Sequence, residues 1–316
     1  MVKKIALEEH FLSPGLVDIW RPTMTDVPAA ATENLYKQLT DFDGQRLEKM
    51  DKAGITKAVL SISGPGVQAV RDPATATRLA REANDFLAGQ IQKRPDRYAG
   101  FAHIAVQDAK AAADELERCM RELKFRGVMI NGHTNGLYLD DRSLDPFWAR
   151  AEALGAVVYI HPNDPVAPAP VLDGVPALRR ATWEWGFETG SHALRLVFSG
   201  LFDRFPKARV ALGHMGETLP YLLWRFDSRA KLYNVKLAKE PSQYIKDNIV
   251  VTISGVLARE PLRCALDALG RDKVMFAADY PFEDMIEAGH FMDSVALADD
   301  ERQDVAYNNA AKLLGL

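Results

Sequence analysis

At 316 residues, 47% hydrophobic and 26% charged, the chain can bury one substantial core, and this balance excludes a disordered or fibrous protein. A formal net charge of −4 offers no basic footprint to a phosphate backbone, so nucleic acid is not an expected partner. Nowhere does the sequence reach the roughly 18 consecutive apolar residues of a membrane helix, and the apolar stretch behind Lys3 and Lys4 stops at Leu7, too soon for a signal peptide. No membrane partner is expected, and the expected location is the cytoplasm. Cys119 and Cys264 stand far apart within segments of helical spacing and make neither a disulfide framework nor a CxxC site.

In chain order, short apolar runs occupy residues 3–8, 57–62, 98–104, 127–131, 156–161, 209–214, 249–254 and 274–278. Segments of helical spacing lie between most of them: Gln45–Ala53, Ala74–Gln92, Ala109–Leu123, Leu144–Leu154 and Leu262–Leu269. Doubly buried strands alternating with helices indicate a parallel α/β sheet, and eight of them indicate closure. The expected fold is a distorted (β/α)8 TIM barrel, one domain over residues 1–316, and the rival doubly wound sheet lacks a GxGxxG turn. Two long connections, Leu12–Asp41 after the first strand and Pro162–Phe187 after the fifth, read either as walls over a pocket or as a subunit interface.

Four of the runs end on side chains that bind metals: IALEEH on Glu8 and His10, VVYIH on His161, VALGH on His214, and VMFAAD on Asp279. A parallel barrel brings the carboxyl ends of its strands to one point. Strand alternation puts Glu8 and His10 on one face and Glu9 on the other. Each residue alone has a plainer reading: a solvated strand end for Glu8 and His10, a hydrogen-bonded core histidine for His161, and an aspartate bonded to backbone amides for Asp279. Their joint occurrence on the first, fifth and eighth strands favours a metal site. Mixed oxygen and nitrogen donors suit Mn²⁺ or Zn²⁺, and the absence of a thiolate argues against a structural zinc.

Glu8-x-His10, RLEKMDKAGI from Arg46, PDRYAGFA from Pro95, His161-Pro162, GLFDRFP from Gly200, GHMGETLPYLLWR from Gly213, DYPFE from Asp279 and NAAKLLGL from Asn309 together resemble the decarboxylase branch of the amidohydrolase superfamily. The likeness is nearest to the γ-resorcylate and 2,3-dihydroxybenzoate decarboxylases and runs from residue 5 to the end. It implies one divalent metal ion, Mn or Zn, on Glu8, His10, His161 and Asp279. It further implies Asp279, His214 and Glu217 as catalytic residues, and Arg225, His161 and Phe282 as substrate contacts. The implied reaction is non-oxidative decarboxylation of an ortho-hydroxybenzoate such as γ-resorcylate, by ring-carbon protonation and then loss of carbon dioxide, in a homodimer or homotetramer. A metal-dependent hydrolase of a lactone or amide is the alternative on the same scaffold, and a non-catalytic barrel is a third.

The pair His214 and Glu217 has its own physical reading, since a carboxylate on one ring nitrogen fixes the tautomer and favours the charged imidazole. Two departures from the family pattern touch the pocket mouth. Asn163 stands where an arginine often follows His-Pro, and the stretch Asn131–Arg142 is short. Both bear on ring substitution more than on reaction type. Phe11, Trp20, Trp183, Trp185 and Phe282 are the aromatic candidates for stacking on a ring.

Overall fold

A computed structural model describes every residue from Met1 to Leu316. Eight strands, all paired in parallel, alternate with helices: β1 (Lys4–Phe11), β2 (Ile55–Ile62), β3 (Tyr98–Gly100), β4 (Gly127–Asn131), β5 (Val157–His161), β6 (Arg209–Leu212), β7 (Ile249–Thr252) and β8 (Val274–Met275). They form two continuous ladders, β1-β2-β3 and β4-β5-β6-β7-β8. At one seam Ala102 pairs with Val128, with Met129 N–H donating to Ala102 O at 3.0 Å; at the other Glu9 pairs with Tyr280, with His10 N–H donating to Tyr280 O at 2.7 Å. These bridges complete the ring. The seams fall where β3 and β8 stop short of the ends of the apolar runs 98–104 and 274–278, so each is joined by an isolated bridge.

Burial divides the molecule into two cores. Alternate strand residues such as Ala58, Leu60, Val128, Ile130 and Val158 face the helices in the outer core. Val59, Phe101, Met129, Val157, Tyr159 and Met275 fill the barrel itself, closed from below by Ala310 and Leu314. Local chemistry sets the helix bounds. Asp108 accepts from the backbone N–H groups of Lys110 and Ala111 at the start of helix Ala109–Arg121, and Gly54, at φ +71°, ends helix Gln45–Ala53 in the left-handed conformation a glycine adopts at little cost.

Both long connections hold more structure than loops. Leu12–Asp41 contains helix Ala29–Leu39, whose AAATENLYKQL composition favours helix. In Pro162–Phe187 the proline-rich part makes short 3-10 turns, but its last residues already belong to helix Glu184–Phe198. No helix is long and apolar enough to cross a membrane.

Candidate metal centre

Strict alternation along β1 would turn Glu8 away from the barrel, because Ile5 and Leu7 both face inward. The register against β2 resolves the conflict: Ala6 pairs with Ala58 and Glu9 with Leu60, so β1 carries one extra residue. This β-bulge lets Leu7 and Glu8 both point inside and restores the alternation beyond them, with His10 in and Glu9 out.

His161 ends β5, and Asp279 follows β8 at φ +68°, a left-handed backbone uncommon for a non-glycine residue and frequent at functional sites. Glu8, His10, His161 and Asp279 are all buried, and one ligand atom from each lies within 4.8 Å of the others. His10 Nε2 is 3.0 Å from Asp279 Oδ1, and His161 Nε2 is 3.8 Å from Glu8 Oε1.

The remaining atoms of these side chains are held from behind. Glu8 Oε2 accepts from Tyr159 at 2.7 Å, and from Ser254 and Thr252. His10 Nδ1 meets Ser61 Oγ at 3.3 Å. His161 Nδ1–H donates to Pro162 O at 2.8 Å, which leaves the Nε2 lone pair free. Burial, followed by the charge of His10, pushes His161 down to about 3, so it stays in the neutral form a metal requires. Glu8 Oε1, His10 Nε2 and Asp279 Oδ1 are buried without a hydrogen-bond partner. Unpaired polar atoms are costly inside a protein unless a cation claims them, and this set of two oxygen and two nitrogen donors fits one divalent ion.

A second polar pair adjoins the group. After β6 the backbone runs left-handed through His214, Met215, Gly216, Glu217 and Thr218, with φ between 49° and 76°. Such a turn costs roughly 1–2 kcal/mol for each non-glycine residue. It brings His214 Nδ1 to 2.7 Å from Glu217 Oε1 and leaves His214 Nε2 3.7 Å from Asp279 Oδ2. Burial would lower the imidazole, but Glu217 and Glu8 hold it well above the usual histidine range. Burial would raise Asp279, yet the adjacent His10 and His214 imidazoles hold it below the usual carboxylate range.

Residues 38–316 match the family model described as Amidohydrolase. The chain belongs to the amidohydrolase family. It is 39% identical to the γ-resorcylate decarboxylase of Rhodococcus jostii (strain RHA1), with 100% of this chain and 99% of that one covered. Among solved structures, a 2,6-dihydroxybenzoate decarboxylase complexed with 2,6-dihydroxybenzoate superposes with a TM-score of 0.94 at 37% identity, covering 100% of both chains. The dihydroxybenzoic acid decarboxylase of Polaromonas sp. JS666, with bound manganese and the inhibitor 2-nitroresorcinol, gives 0.94 and 37%, covering 100% of this chain and 98% of that one.

Within this amidohydrolase barrel the other expected contacts divide. Phe282, 40% exposed, stands edge-on to His10 with ring centres 5.7 Å apart. Arg225 is not brought to the cluster by the single chain: it is exposed on helix Leu219–Leu232, which also exposes Tyr221 (81%) and Trp224 (76%). Phe11 and Trp20 are closed into the outer core, the first against Phe42 and Phe86 and the second against Tyr36, so their rings serve packing instead of a ligand. Trp185 donates its Nε1–H to Asp164 at 2.8 Å, while Trp183 is exposed. Asn163 packs so tightly on Gly132 that a Cβ there would lie 2.6 Å from its own, which joins the turns after β4 and β5.

Sequence reasoning missed the residues that hold the site. Tyr159 and Ser254 were accessible by period-two counting, two places before His161 and two after Thr252 in the inward row. The outward-facing Glu9 was not. Its Oε1 accepts from Ala278 N–H at 2.9 Å, next to the wholly buried Arg46, which donates to His10 O at 2.7 Å and lies over the Tyr280 ring at 4.8 Å. Burial lifts Glu9 to about 8 despite the Ala278 hydrogen bond and Arg46. This group staples β1 to the chain around Asp279 from the outer side of the barrel.

Proposed function

We propose that the protein is a divalent-metal-dependent, non-oxidative decarboxylase of an ortho-hydroxybenzoate, a dihydroxybenzoate such as γ-resorcylate. The observation that carries this reading is the end-to-end likeness, at 37–39% identity, to decarboxylases of that acid in a chain with a buried two-oxygen, two-nitrogen donor group. Glu8, His10, His161 and Asp279 would hold Mn²⁺ or Zn²⁺, and the manganese in the Polaromonas relative favours the former. The ion would supply Lewis acidity and a template for the phenolate and carboxylate of the substrate.

The residues divide the remaining work. Direct loss of carbon dioxide would leave an aryl carbanion with no electron sink, so the ring carbon must be protonated first. Asp279 is ionised at rest, held so by His10 and His214. It takes the phenolic proton as substrate binds and delivers that proton to the carboxyl-bearing carbon. The dearomatised ring then has a carbonyl β to the carboxylate; the C–C bond breaks, and its electron pair restores the aromatic phenolate. His214, kept cationic by Glu217, stabilises negative charge on the substrate. His161 and Phe282 border the ring.

Arg225 is assigned to the substrate carboxylate, for which its forked donors suit. Because it is exposed in one chain, this role requires a homodimer or homotetramer that packs the face of Tyr221 and Trp224 against a second copy. Residues 1–316 act as one domain, with donors drawn from β1 to the end of β8. Location in the cytoplasm suits the two unpaired cysteines.

The test is metal analysis of the purified protein followed by carbon dioxide assays on 2,6-dihydroxy-, 2,3-dihydroxy- and 2-hydroxybenzoate. Near one divalent ion per chain with release from any of the three is the expected result; no metal after reconstitution would sink the site. The family description keeps hydrolysis of a lactone or amide as a second reading. That reading predicts incorporation of solvent oxygen and no carbon dioxide.

A further inference from the structure

Asn131 ends β4 fully buried, and neither the oxygen nor the nitrogen of its amide has a hydrogen-bond partner. Ser63, just beyond the end of β2, is also buried, and its hydroxyl is equally unpaired. Buried polar side chains are nearly always bonded, so two neighbouring ones without partners mark a place that expects something from outside the chain.

Their position says what. Asn131 follows the inward row of Met129, while Ile130 between them faces the outer core. It is in register with His161 on the adjacent strand, so its side chain starts about 4.8 Å from that of a metal-binding candidate. On the other side its Cγ and Oδ1 would lie 3.6 Å from a Cβ at Gly64, the residue after Ser63. Strands β2 and β4 are not neighbours, so this approach spans the end of β3 at the barrel mouth.

The chemistry of the pair is selective. Together they offer amide and hydroxyl donors and a carbonyl acceptor without any charge. A carboxylate, having no donor, would leave the amide oxygen unpaired, and a cation, having no acceptor, would leave the amide N–H groups unpaired. A hydroxyl, which both donates and accepts, satisfies both kinds of atom. We propose that Asn131, with Ser63 beside it, is the specificity-determining contact for a second phenolic hydroxyl on the aromatic ring. This rests on the decarboxylase reading above and names the substitution that the site selects.

The test compares two unreactive probes, 2-nitroresorcinol and 2-nitrophenol, which differ by one ring hydroxyl, titrated calorimetrically into the manganese-loaded protein. The wild type should prefer the dihydroxy probe by about tenfold, the worth of one well-made hydrogen bond. Asn131→Leu, of similar branched shape, should cut that preference below about twofold while manganese content is retained, and Ser63→Ala should cut it by about threefold. If Asn131→Leu fails to fold, Ser63→Ala, which removes one oxygen, decides the question. An unchanged preference in the folded variants would overturn the proposal and leave the pair as a hydrated corner of the barrel. Wild-type protein that binds neither probe and releases no carbon dioxide from 2,6-dihydroxybenzoate would instead overturn the decarboxylase reading, and this proposal with it.

Discussion

The lower part of the barrel and its mouth are built from the same strands, two or three residues apart, yet they are opposite in kind. Below, Val59, Met129, Val157, Ala211 and Met275 pack into a dry plug closed by Leu314. Above, Glu8, His10, Ser63, Asn131 and Asp279 each have at least one buried polar atom without a partner. The lower level is complete by itself and contributes to stability. The upper level costs stability and is held in place by the structure beneath it. Tyr159 belongs to both: its ring lies 6.0 Å from that of Phe101, and its hydroxyl donates to Glu8. Five residues with unpaired buried polar atoms, gathered over an apolar plug, are the pattern of a binding site.

The comparison is tested most severely at the mouth. Asp279→Asn should lower carbon dioxide release by roughly 10³-fold, the scale of a lost general acid, with manganese content measured alongside. Substantial turnover with metal still bound would require another proton donor. One level down, Met129→Ala should cost about 2–5 kcal/mol of stability, read from urea unfolding, while manganese affinity of the folded protein stays within about twofold. A matching collapse of metal affinity would mean that the two levels are not separable. Tyr159→Phe, at the boundary, should weaken manganese binding about 10–100-fold with little change in melting temperature, because it removes one of the three hydrogen bonds that orient Glu8 Oε2 without opening a cavity.

The smallest effect comes from histidines that contrast with the metal group. His103 accepts from Val67 N–H at 2.8 Å, and His192 accepts from Leu139 N–H at 2.9 Å. Burial pushes them down to about 4 and about 3. The folded state therefore resists a proton that the unfolded chain takes up near the free value of about 6.5. Their contribution to stability is complete above pH 6.5 and is lost as pH falls towards 4, at up to about 1.4 kcal/mol per pH unit for each. His192→Gln should flatten that decline by about one such increment in urea unfolding at pH 7, 6, 5 and 4. An equally steep decline in the variant would show that other groups control acid sensitivity.

Much of the architecture was legible from periodicity. The Gln45–Ala53 helix was readable to its ends because its spacing is regular and Gly54 stops it. The convergence of Glu8, His10, His161 and Asp279 was also readable, since an apolar run ending on a polar residue is a local pattern and a barrel collects such ends. The ends of the two short strands were not, because the apolar runs continue past the point where ladder pairing stops. Phe11 and Trp20 were offered as ring contacts because aromatic side chains in a loop or at a strand end look alike in sequence whether they face a ligand or a helix.

The sequence by itself determined the alternation of strands and helices, the count of eight, and which residues at the strand ends have metal-binding chemistry, since all of these depend on neighbours a few places apart. Only the tertiary structure decided the bulge that turns Glu8 inward, the left-handed turn that joins His214 to Glu217, the support of Glu8 by Tyr159 and Ser254, and the unpaired amide of Asn131. Each of these depends on register between strands tens to hundreds of residues apart, or on a backbone conformation that is stable only because distant packing compensates its strain.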